Sequence, residues 1–509
     1  MDFDNTIIQF NYNLTKAWLA QFRESSQAIC TLASQFRKND DCLVKSLHCG
    51  SFNISLRLHW EDDGPDWLIR FPIPGKSMLP DEKVRNEVAV MKFIQQNTRI
   101  PVPSVIACGM GNENPTGLGP FIIMTFVEGR KMSEILKGET RTKDDVDDVL
   151  DPHISESTLS ILYGQVADIL LQLFKHDFDH IGSLSMDGDK QSWSIKHRPL
   201  TLDMNETLRC SGLTQDCLPK KVYCSARDYL LALCDMQFAR LARQRNSICD
   251  AEDCREKYTC RRLFQATMSR FICRKENSGP FKLNCDDLCP GNILVDESLQ
   301  IVAVVDWEFC YAAPTQFVTS APGWLLLRKP SDWLTTEGPR SFLKSYTPKL
   351  ELFLKTMEER EEVRAKLPTG LPSGRLSTRM RQSFEDRTFW FNMAARTSFD
   401  VDDVYWYMLD EYCYGPRSSI KERVTEATSG VDTYKDLEHF VRLKINHLKE
   451  YNSQIGCEEN VDGEVEGVKE GVNSASLKTK AWVQIVHKTT FSIVVLMLAA
   501  AYLVRRKIN

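Results

Sequence analysis

The chain has 509 residues, of which 42% are hydrophobic and 26% are charged. This length and composition predict a globular protein with two or three packed units. The formal net charge of -5 excludes the overall basic field that holds nucleic acid, so we expect no nucleic-acid partner. Seventeen cysteines spread over so long a chain indicate reduced thiols rather than a disulfide framework, which favours an intracellular protein.

The first part of the chain shows the pattern of a small lobe rich in β-strands. Apolar and polar residues alternate from Ile54 to Trp60, which is the period of a half-buried strand, and a second apolar run follows from Trp67 to Phe71. The polar turn between these runs predicts a hairpin. A helical period begins at Asp81, and Phe121 to Val127 reads as a buried strand. We therefore predict a mixed α+β lobe over residues 41–130.

The remaining segments are predicted from their periodicity and composition. Residues 1–40 read as a helical extension, and residues 131–450 read as a larger, mostly helical lobe with helical insertions. Residues 451–480 are acidic and have little to bury, which predicts a flexible linker. Residues 481–509 contain an apolar segment that is a membrane-anchor candidate.

The most informative segment is FKLNCDDLCPGNILVDESLQIVAVVDWEFCYAAP, residues 281–314. Two apolar runs, Ile293 to Val295 and Ile301 to Val305, flank a polar turn and predict a hairpin centred near Leu299. Such a hairpin places Asn292 and Asp306 opposite each other at its open end.

The residue types at this hairpin predict a magnesium–nucleotide site. Mg²⁺ prefers hard oxygen ligands and is usually held by one or two protein groups plus substrate phosphates, which Asn292 and Asp306 can provide. Asp287 precedes Asn292 by five residues, where a carboxylate can accept the proton of an attacking hydroxyl group. The pattern favours phosphoryl transfer, and the alternative is that these three residues only cap turns and loops.

This segment resembles the aminoglycoside phosphotransferase family, in particular its fungal branch. The similarity rests on DDLCPGNILVD, VVDWEF, YGQVADILLQLFKHDFDHIGSL and RPLTLDMNE, and it covers about residues 40 to 335. It implies a protein-kinase-like two-lobed fold, with a small β-rich N-lobe and a larger helical C-lobe, to which the apolar composition near the C-terminus adds a hydrophobic helix. It also implies ATP and Mg²⁺ as cofactors and a hydroxyl group of a small molecule as acceptor.

The resemblance implies a role for each matching residue. Asp287 would be the catalytic base, and Asn292 and Asp306 would be the Mg²⁺ ligands. The nucleotide-binding positions would be the phosphate-covering loop at Gly50, Ser51, Phe52 and Asn53, the cation Arg70, its partner Glu87, and the adenine-side linker from Thr125 to Glu128.

Three positions depart from the family pattern and keep a second hypothesis open. Cys285 stands where the family has a histidine, Asp286 where it mostly has glycine, and Arg70 where it has a lysine. Arginine's planar fork does not replace an ammonium on phosphate oxygens. The second hypothesis is therefore a pseudokinase or scaffold with the same fold. A protein kinase is disfavoured, because Ala312 to Pro314 follow Asp306 within a few residues and no APE element comes after them.

The apolar segment near the C-terminus runs from Thr489 to Val504 without a charged residue. Lys488 precedes it, and Arg505, Arg506 and Lys507 follow it. Sixteen residues of helix reach about 24 Å, which is a marginal span of a hydrocarbon core ~30 Å thick. We expect a tail anchor in an intracellular membrane with the kinase-like body on its cytoplasmic face; a buried or an interfacial helix is the alternative.

Overall fold

The computed structural model describes residues 3–37, 42–62, 64–137, 149–187, 192–366 and 374–456. The fold combines helices with sheets, and the sheets are concentrated towards the N-terminus. Every cysteine in this described part of the chain is a free thiol. Most of the predicted linker and the whole anchor candidate, including Thr489 to Val504, lie outside the described residues.

A five-stranded antiparallel sheet forms the N-terminal part, in the order β1-β2-β3-β5-β4. Its strands are β1 Leu43–Cys49, β2 Asn53–His59, β3 Trp67–Pro72, β4 Val105–Gly109 and β5 Phe121–Thr125. The predicted hairpin is confirmed, because β2 pairs with β3 from Asn53 opposite Pro72 to Leu58 opposite Trp67. The predicted helix is also present, as α3 Pro80–Asn97 between β3 and β4.

Helices cover both faces of this sheet, because its alternate residues point to opposite sides. On one face, Trp18 and Phe22 of α1 Asn5–Glu24 and Ile29 of α2 Ser26–Ser34 pack with Ile54 and Phe71. On the other face, α3 packs its apolar stripe, formed by Val84, Val88 and Met91, with Ile122 and Met124 of β5. The N-terminal helices therefore belong to the core of the sheet.

The rest of the described chain is mostly helical. Short strands are β6 Arg130–Lys131, β7 Ser183–Asp187, β8 Ser192–His197, β9 Lys282–Cys285, β10 Ile293–Val295, β11 Ile301–Val304 and β12 Cys310–Ala313. The helices are α4 Met132–Leu136, α5 Glu156–Phe174, α6 Leu202–Ser211, α7 Ala226–Arg243, α8 Ala251–Phe271, α9 Thr315–Val318, α10 Pro330–Thr336, α11 Gly338–Ala365, α12 Leu376–Glu385, α13 Thr388–Ala395, α14 Val401–Val404, α15 Asp410–Tyr414, α16 Ile420–Ala427 and α17 Val431–Gln454. Helix α17 continues past the predicted boundary at residue 450.

Helix α5 is the one helix among the described residues that is long and apolar enough to cross a membrane. Its apolar side chains belong to the main hydrophobic core, where the ring of Tyr163 lies 5.7 Å from that of Phe353 in α11. This burial is typical of a core helix in a globular domain.

Two contacts bring the N-terminal sheet close to the β10–β11 hairpin. Strand β6 pairs with β10, with Lys131 opposite Leu294. Gly129, just before β6, lies so close to the hairpin that a Cβ atom there would be 2.9 Å from Leu294 Cβ and 3.0 Å from Val302 Cγ2. Glycine permits this approach because it has no side chain, and the hairpin is thereby held beside the end of the sheet.

Candidate active site

The β10–β11 hairpin is present, but its register differs by one residue from the prediction. Ile293 pairs with Val304, and the Val305 N–H donates to the Asn292 carbonyl at 2.9 Å. The register shifts at Val302, since Leu294 pairs with Ala303 and Val295 with Ile301. The hairpin turns about Ser298 and not about Leu299, which shifts the partner of Asn292 by two positions, and the bulged residue restores one of them. Asn292 therefore stands opposite Val305, and Asp306 is the first residue beyond the paired strands.

Asp306 begins a tight loop with unusual backbone conformations. Asp306 has φ of 57° and Phe309 has φ of 59°, both in the left-handed region that residues with a Cβ atom rarely adopt. Between them, the buried Trp307 indole N–H donates to the Val304 carbonyl at 3.0 Å. Such conformations persist only where the surrounding structure imposes them, and they cluster at functional sites.

Asp287 and Asn292 form a closed contact in the loop between β9 and β10. The Asn292 amide N–H group donates to the Asp287 carbonyl at 2.9 Å and to Asp287 Oδ2 at 3.0 Å. Since both contacts use the amide nitrogen, they leave the amide oxygen of Asn292 available as a ligand. The five-residue separation seen in the sequence thus corresponds to a direct side-chain contact.

The two adjacent carboxylates, Asp286 and Asp287, point to different partners. Asp286 accepts a hydrogen bond from Asn284 at 2.9 Å, and Arg396 lies 3.6 Å from it. Burial raises the pKa of Asp287 to about 7; the nearby charges of Glu308 and Asp306 act in the same direction, whereas the Asn292 hydrogen bond acts against it. Asp287 is therefore the carboxylate that faces the acidic group around Asp306.

Arg70 connects the sheet, helix α3 and the Asp306 loop. This buried guanidinium in β3 forms ion pairs with Glu87 of α3 and with Asp306. Burial opposes ionisation of Glu87 and raises its pKa, and the charge of Arg70 acts against this. The three residues come from positions up to 236 apart in the sequence, so their convergence is a property of the fold.

A second buried ion pair lies next to the first. Lys83 of α3 pairs with Glu308, and each side chain is only 2% exposed. Asn53, the first residue of β2, donates from its amide to Glu308 Oε2 at 2.9 Å and accepts a hydrogen bond from the Lys83 ammonium. Sequence reasoning missed Lys83 and Glu308, although Lys83 stands four residues before Glu87 and Glu308 two residues after Asp306.

The other positions that the resemblance assigns to nucleotide binding lie in or next to the N-terminal sheet. Gly50 and Ser51 are exposed in the turn between β1 and β2, which the Gly50 N–H closes by donating to the Asn53 carbonyl at 2.9 Å. Thr125 accepts a hydrogen bond from the Ser104 N–H at 2.9 Å, and the exposed Glu128 pairs with Arg57 at 2.5 Å. The structure thus joins Arg70, Glu87 and Asp306 through contacts, whereas Asn53 contacts Lys83 and Glu308, and Thr125 and Glu128 are bound to other residues.

Cys285 takes part in holding the loop between β9 and β10. Its thiol donates to the Glu308 carbonyl at 3.7 Å, and the Asp286 N–H donates to the Phe309 carbonyl at 3.2 Å. A hydrogen bond with Cys310, together with burial, raises the pKa of Cys285, so the thiol stays protonated. The loop is therefore tied to the Asp306 segment at this position even though the histidine of the family pattern is absent.

The donor atoms fit Mg²⁺ better than they fit a transition metal. Within the described residues, no group of three or more His, Cys, Asp or Glu side chains is placed to hold a metal ion. Asn292 and Asp306 instead offer hard oxygen atoms, and Asp306 is about one third exposed. Two protein oxygens completed by phosphate and water are a usual environment for Mg²⁺.

Comparison with known proteins finds distant similarities. No family model matches the chain. The chain is 25% identical over 282 residues to clavilactone A biosynthesis cluster protein Y of Ampulloclitocybe clavipes, covering 52% of this chain and 60% of that protein. It is 26% identical over 150 residues to altered inheritance of mitochondria protein 9 of Meyerozyma guilliermondii, covering 29% of this chain and 22% of that protein. The chain thus spans less than two thirds of either relative.

Two solved structures that align with this chain are an aminoglycoside phosphotransferase and a choline kinase. A thermostable mutant of the aminoglycoside phosphotransferase, in complex with ADP and hygromycin B, aligns with 80% of this chain and 100% of its own, at 12% identity and a TM-score of 0.38. A choline kinase from Cryptosporidium parvum aligns with 83% of this chain and 98% of its own, at 12% identity and a TM-score of 0.38. Scores this low establish neither a shared family nor a shared function.

Proposed function

We propose that the chain is an ATP- and Mg²⁺-dependent phosphotransferase of the aminoglycoside phosphotransferase type, with a kinase-like two-lobed fold, that phosphorylates a hydroxyl group of a small molecule. The observation that carries the proposal is the convergence of Arg70, Glu87 and Asp306 beside the contact between Asp287 and Asn292. A strand cation, a helix carboxylate, a metal carboxylate and a loop base are the parts that phosphoryl transfer requires.

Each of these residues has a role in the proposed reaction. Asp287 accepts the proton of the acceptor hydroxyl, whose oxygen forms a bond to the γ-phosphorus of ATP while the bond to the bridging oxygen breaks and ADP leaves. Asn292 and Asp306 would hold Mg²⁺, which when bound neutralises charge on the transferred phosphoryl group. Arg70, kept in place by Glu87, lies where its charge can attract the nucleotide phosphates.

Nucleotide binding and catalysis are tested separately by two isosteric variants. We expect ATP with Mg²⁺ to raise the melting temperature of the wild type and of Asp287→Asn, but not that of Asp306→Asn, because of these two aspartates only Asp306 is a proposed Mg²⁺ ligand. Asp287→Asn should lose transfer of labelled γ-phosphate to acceptors in a metabolite extract. Glu297→Gln, an exposed carboxylate in the same hairpin, is the matched control. An unchanged wild-type melting temperature, or an equal rise in Asp306→Asn, would contradict the proposal.

A second candidate function, a pseudokinase or scaffold, is favoured by one contact. The Arg70 guanidinium pairs with Asp306, the carboxylate that the proposed reaction assigns to the metal. Nucleotide binding without transfer to any acceptor in the same assay would support this candidate.

The place of the protein in the cell is a separate proposal that rests on sequence alone. The apolar segment Thr489 to Val504, with basic residues on both sides, would anchor the chain with its body on the cytoplasmic face. Recovery of full-length protein in the soluble fraction after carbonate extraction of membranes would refute it.

A further inference from the structure

Three buried side chains beside the proposed site bond to one another. Lys83 forms an ion pair with Glu308, Asn53 donates to the same Glu308 oxygen, and Lys83 donates to the Asn53 amide oxygen. We call this triangle of Asn53, Lys83 and Glu308 the clamp. It joins three elements that are distant in the sequence, namely the start of β2, the first turns of α3 and the loop after β11.

Fold stability alone is a weak explanation for the clamp. Removing two charges from water costs free energy that their attraction barely offsets, so apolar residues of similar volume often stabilise a protein as well or better. The buried clamp differs from an ordinary structural ion pair in its position, because Glu308 stands two residues from Asp306. This points to a role in placing side chains of the site.

The clamp holds a backbone segment that is strained. Glu308 lies between Asp306 and Phe309, the two residues with left-handed φ values in this loop. Phe52, in the β1–β2 turn, packs edge-on against Phe309 with ring centroids 5.5 Å apart. The β1–β2 turn and the Asp306 loop are therefore fastened at two consecutive positions, Phe52 to Phe309 and Asn53 to Glu308.

Helix α3 is connected to the same loop through two of its side chains. Lys83 and Glu87 are four residues apart and therefore lie on one face of the helix. Glu87 reaches the loop through Arg70 and Asp306, and Lys83 reaches it directly through Glu308. Four carboxylates, those of Glu87, Asp287, Asp306 and Glu308, thus lie around two cations, Arg70 and Lys83.

The clamp also explains how a turn poor in glycine can cover phosphate groups. Glycine-rich loops bind phosphate because their backbone approaches it closely. Here the turn contains a single glycine, Gly50, and its geometry is set by the Asn53 carbonyl and by the buried Asn53 side chain. Both polar ends of that side chain are used within the protein, so we assign Asn53 to positioning instead of direct nucleotide contact.

We propose that Asn53, Lys83 and Glu308 are positioning residues of the nucleotide–metal site, which hold the β1–β2 turn and the Asp306 carboxylate in fixed relation. This inference rests on the proposed function. The three residues contact neither nucleotide nor metal in this proposal, and they act by orienting Asp306 and the β1–β2 turn.

The test measures binding of a fluorescent ATP analogue to the purified full-length chain at increasing Mg²⁺ concentration. We expect Lys83→Met and Glu308→Gln each to weaken apparent Mg²⁺ affinity by about 10- to 100-fold, as is usual when a residue that orients a metal ligand is lost. The double variant should lose little more than the weaker-binding single variant, because both changes break one ion pair.

Lys444→Met is the matched control. Lys444 is a fully buried lysine in α17 that donates to the Gln244 carbonyl, and α17 packs in a separate apolar cluster with α8. It should lower the melting temperature yet leave Mg²⁺ and nucleotide affinity within about twofold, because its contacts lie outside the clamp.

The outcomes separate the two proposals. A wild type that does not bind the analogue overturns the proposed function. A wild type that binds, together with clamp variants of unchanged Mg²⁺ dependence, overturns only the clamp. If Lys83→Met does not fold, Asn53→Ala is the deciding variant, because it keeps the Lys83–Glu308 ion pair but removes the side chain that holds the β1–β2 turn. We expect it to weaken nucleotide affinity. Unchanged affinity refutes the inference.

Discussion

Replacement of Arg70 gives the most direct test of the buried charge network. Arg70→Met keeps much of the side-chain volume but leaves Glu87 and Asp306 without their cation. Glu87 is 1% exposed, so the loss of its partner should lower the free energy of unfolding by about 3–5 kcal/mol. Asp306 is one third exposed and remains partly solvated, so its contribution should stay below about 1 kcal/mol.

Arg70→Lys separates charge from geometry. A lysine supplies one compact charge and has no planar fork, so it can satisfy Glu87 but does not bridge both carboxylates. We expect a loss of about 1 kcal/mol, which corresponds mainly to the missing contact with Asp306. The Met and Lys variants should therefore differ by several kcal/mol.

The assay is urea unfolding followed by the fluorescence of the ten tryptophans. Arg381→Met is the control, because Arg381 also bridges two carboxylates, Glu351 and Glu358, but all three side chains are about one third to one half exposed. It should cost less than about 1 kcal/mol. If Arg70→Met cost no more than this control, burial would not be what makes the Arg70 network strong, and the reasoning would fail.

Two further predictions concern packing and pH. Gly129→Ala should lower the free energy of unfolding by about 1–3 kcal/mol, because the added Cβ would meet Leu294 and Val302. Gly430→Ala is the control and should be tolerated, because the nearest atom to its added Cβ is 3.4 Å away. Melting temperatures of the two variants are compared. Burial raises the pKa of Asp203 to about 7, above its value of 3.8 in the unfolded chain, so the folded state binds the proton more tightly. Stability should fall by about 2 kcal/mol from pH 5 to pH 7 and level off above pH 7, and urea titrations of Asp203→Asn should lack this part of the slope.

The site was predictable from sequence where its residues are close together along the chain. Asp287 and Asn292 are five residues apart, and the apolar hairpin after them fixes the position of Asp306 to within one residue. The error of one residue arose because the hairpin turns about Ser298, with Val295 opposite Ile301, and the bulge at Val302 recovers only one of the two positions by which this shifts the partner of Asn292. Apolar periodicity encodes neither the exact centre of the polar turn nor the bulge, which depends on how the hairpin packs against neighbours such as Gly129 and β6.

By itself, the sequence determined the strands β2 and β3, helix α3, the β10–β11 hairpin and the residue types of the proposed site, because periodicity and turn composition act over a few neighbouring residues. Only the tertiary structure decided that Lys83 meets Glu308, that Asn53 joins them, and that Arg70 pairs with Asp306 in addition to its expected partner Glu87. These pairs are separated by up to 255 residues, and no local pattern specifies which buried charges will share a partner. That choice follows from packing the sheet, helix α3 and the Asp306 loop together, since a buried charge must find an opposite one or a hydrogen bond.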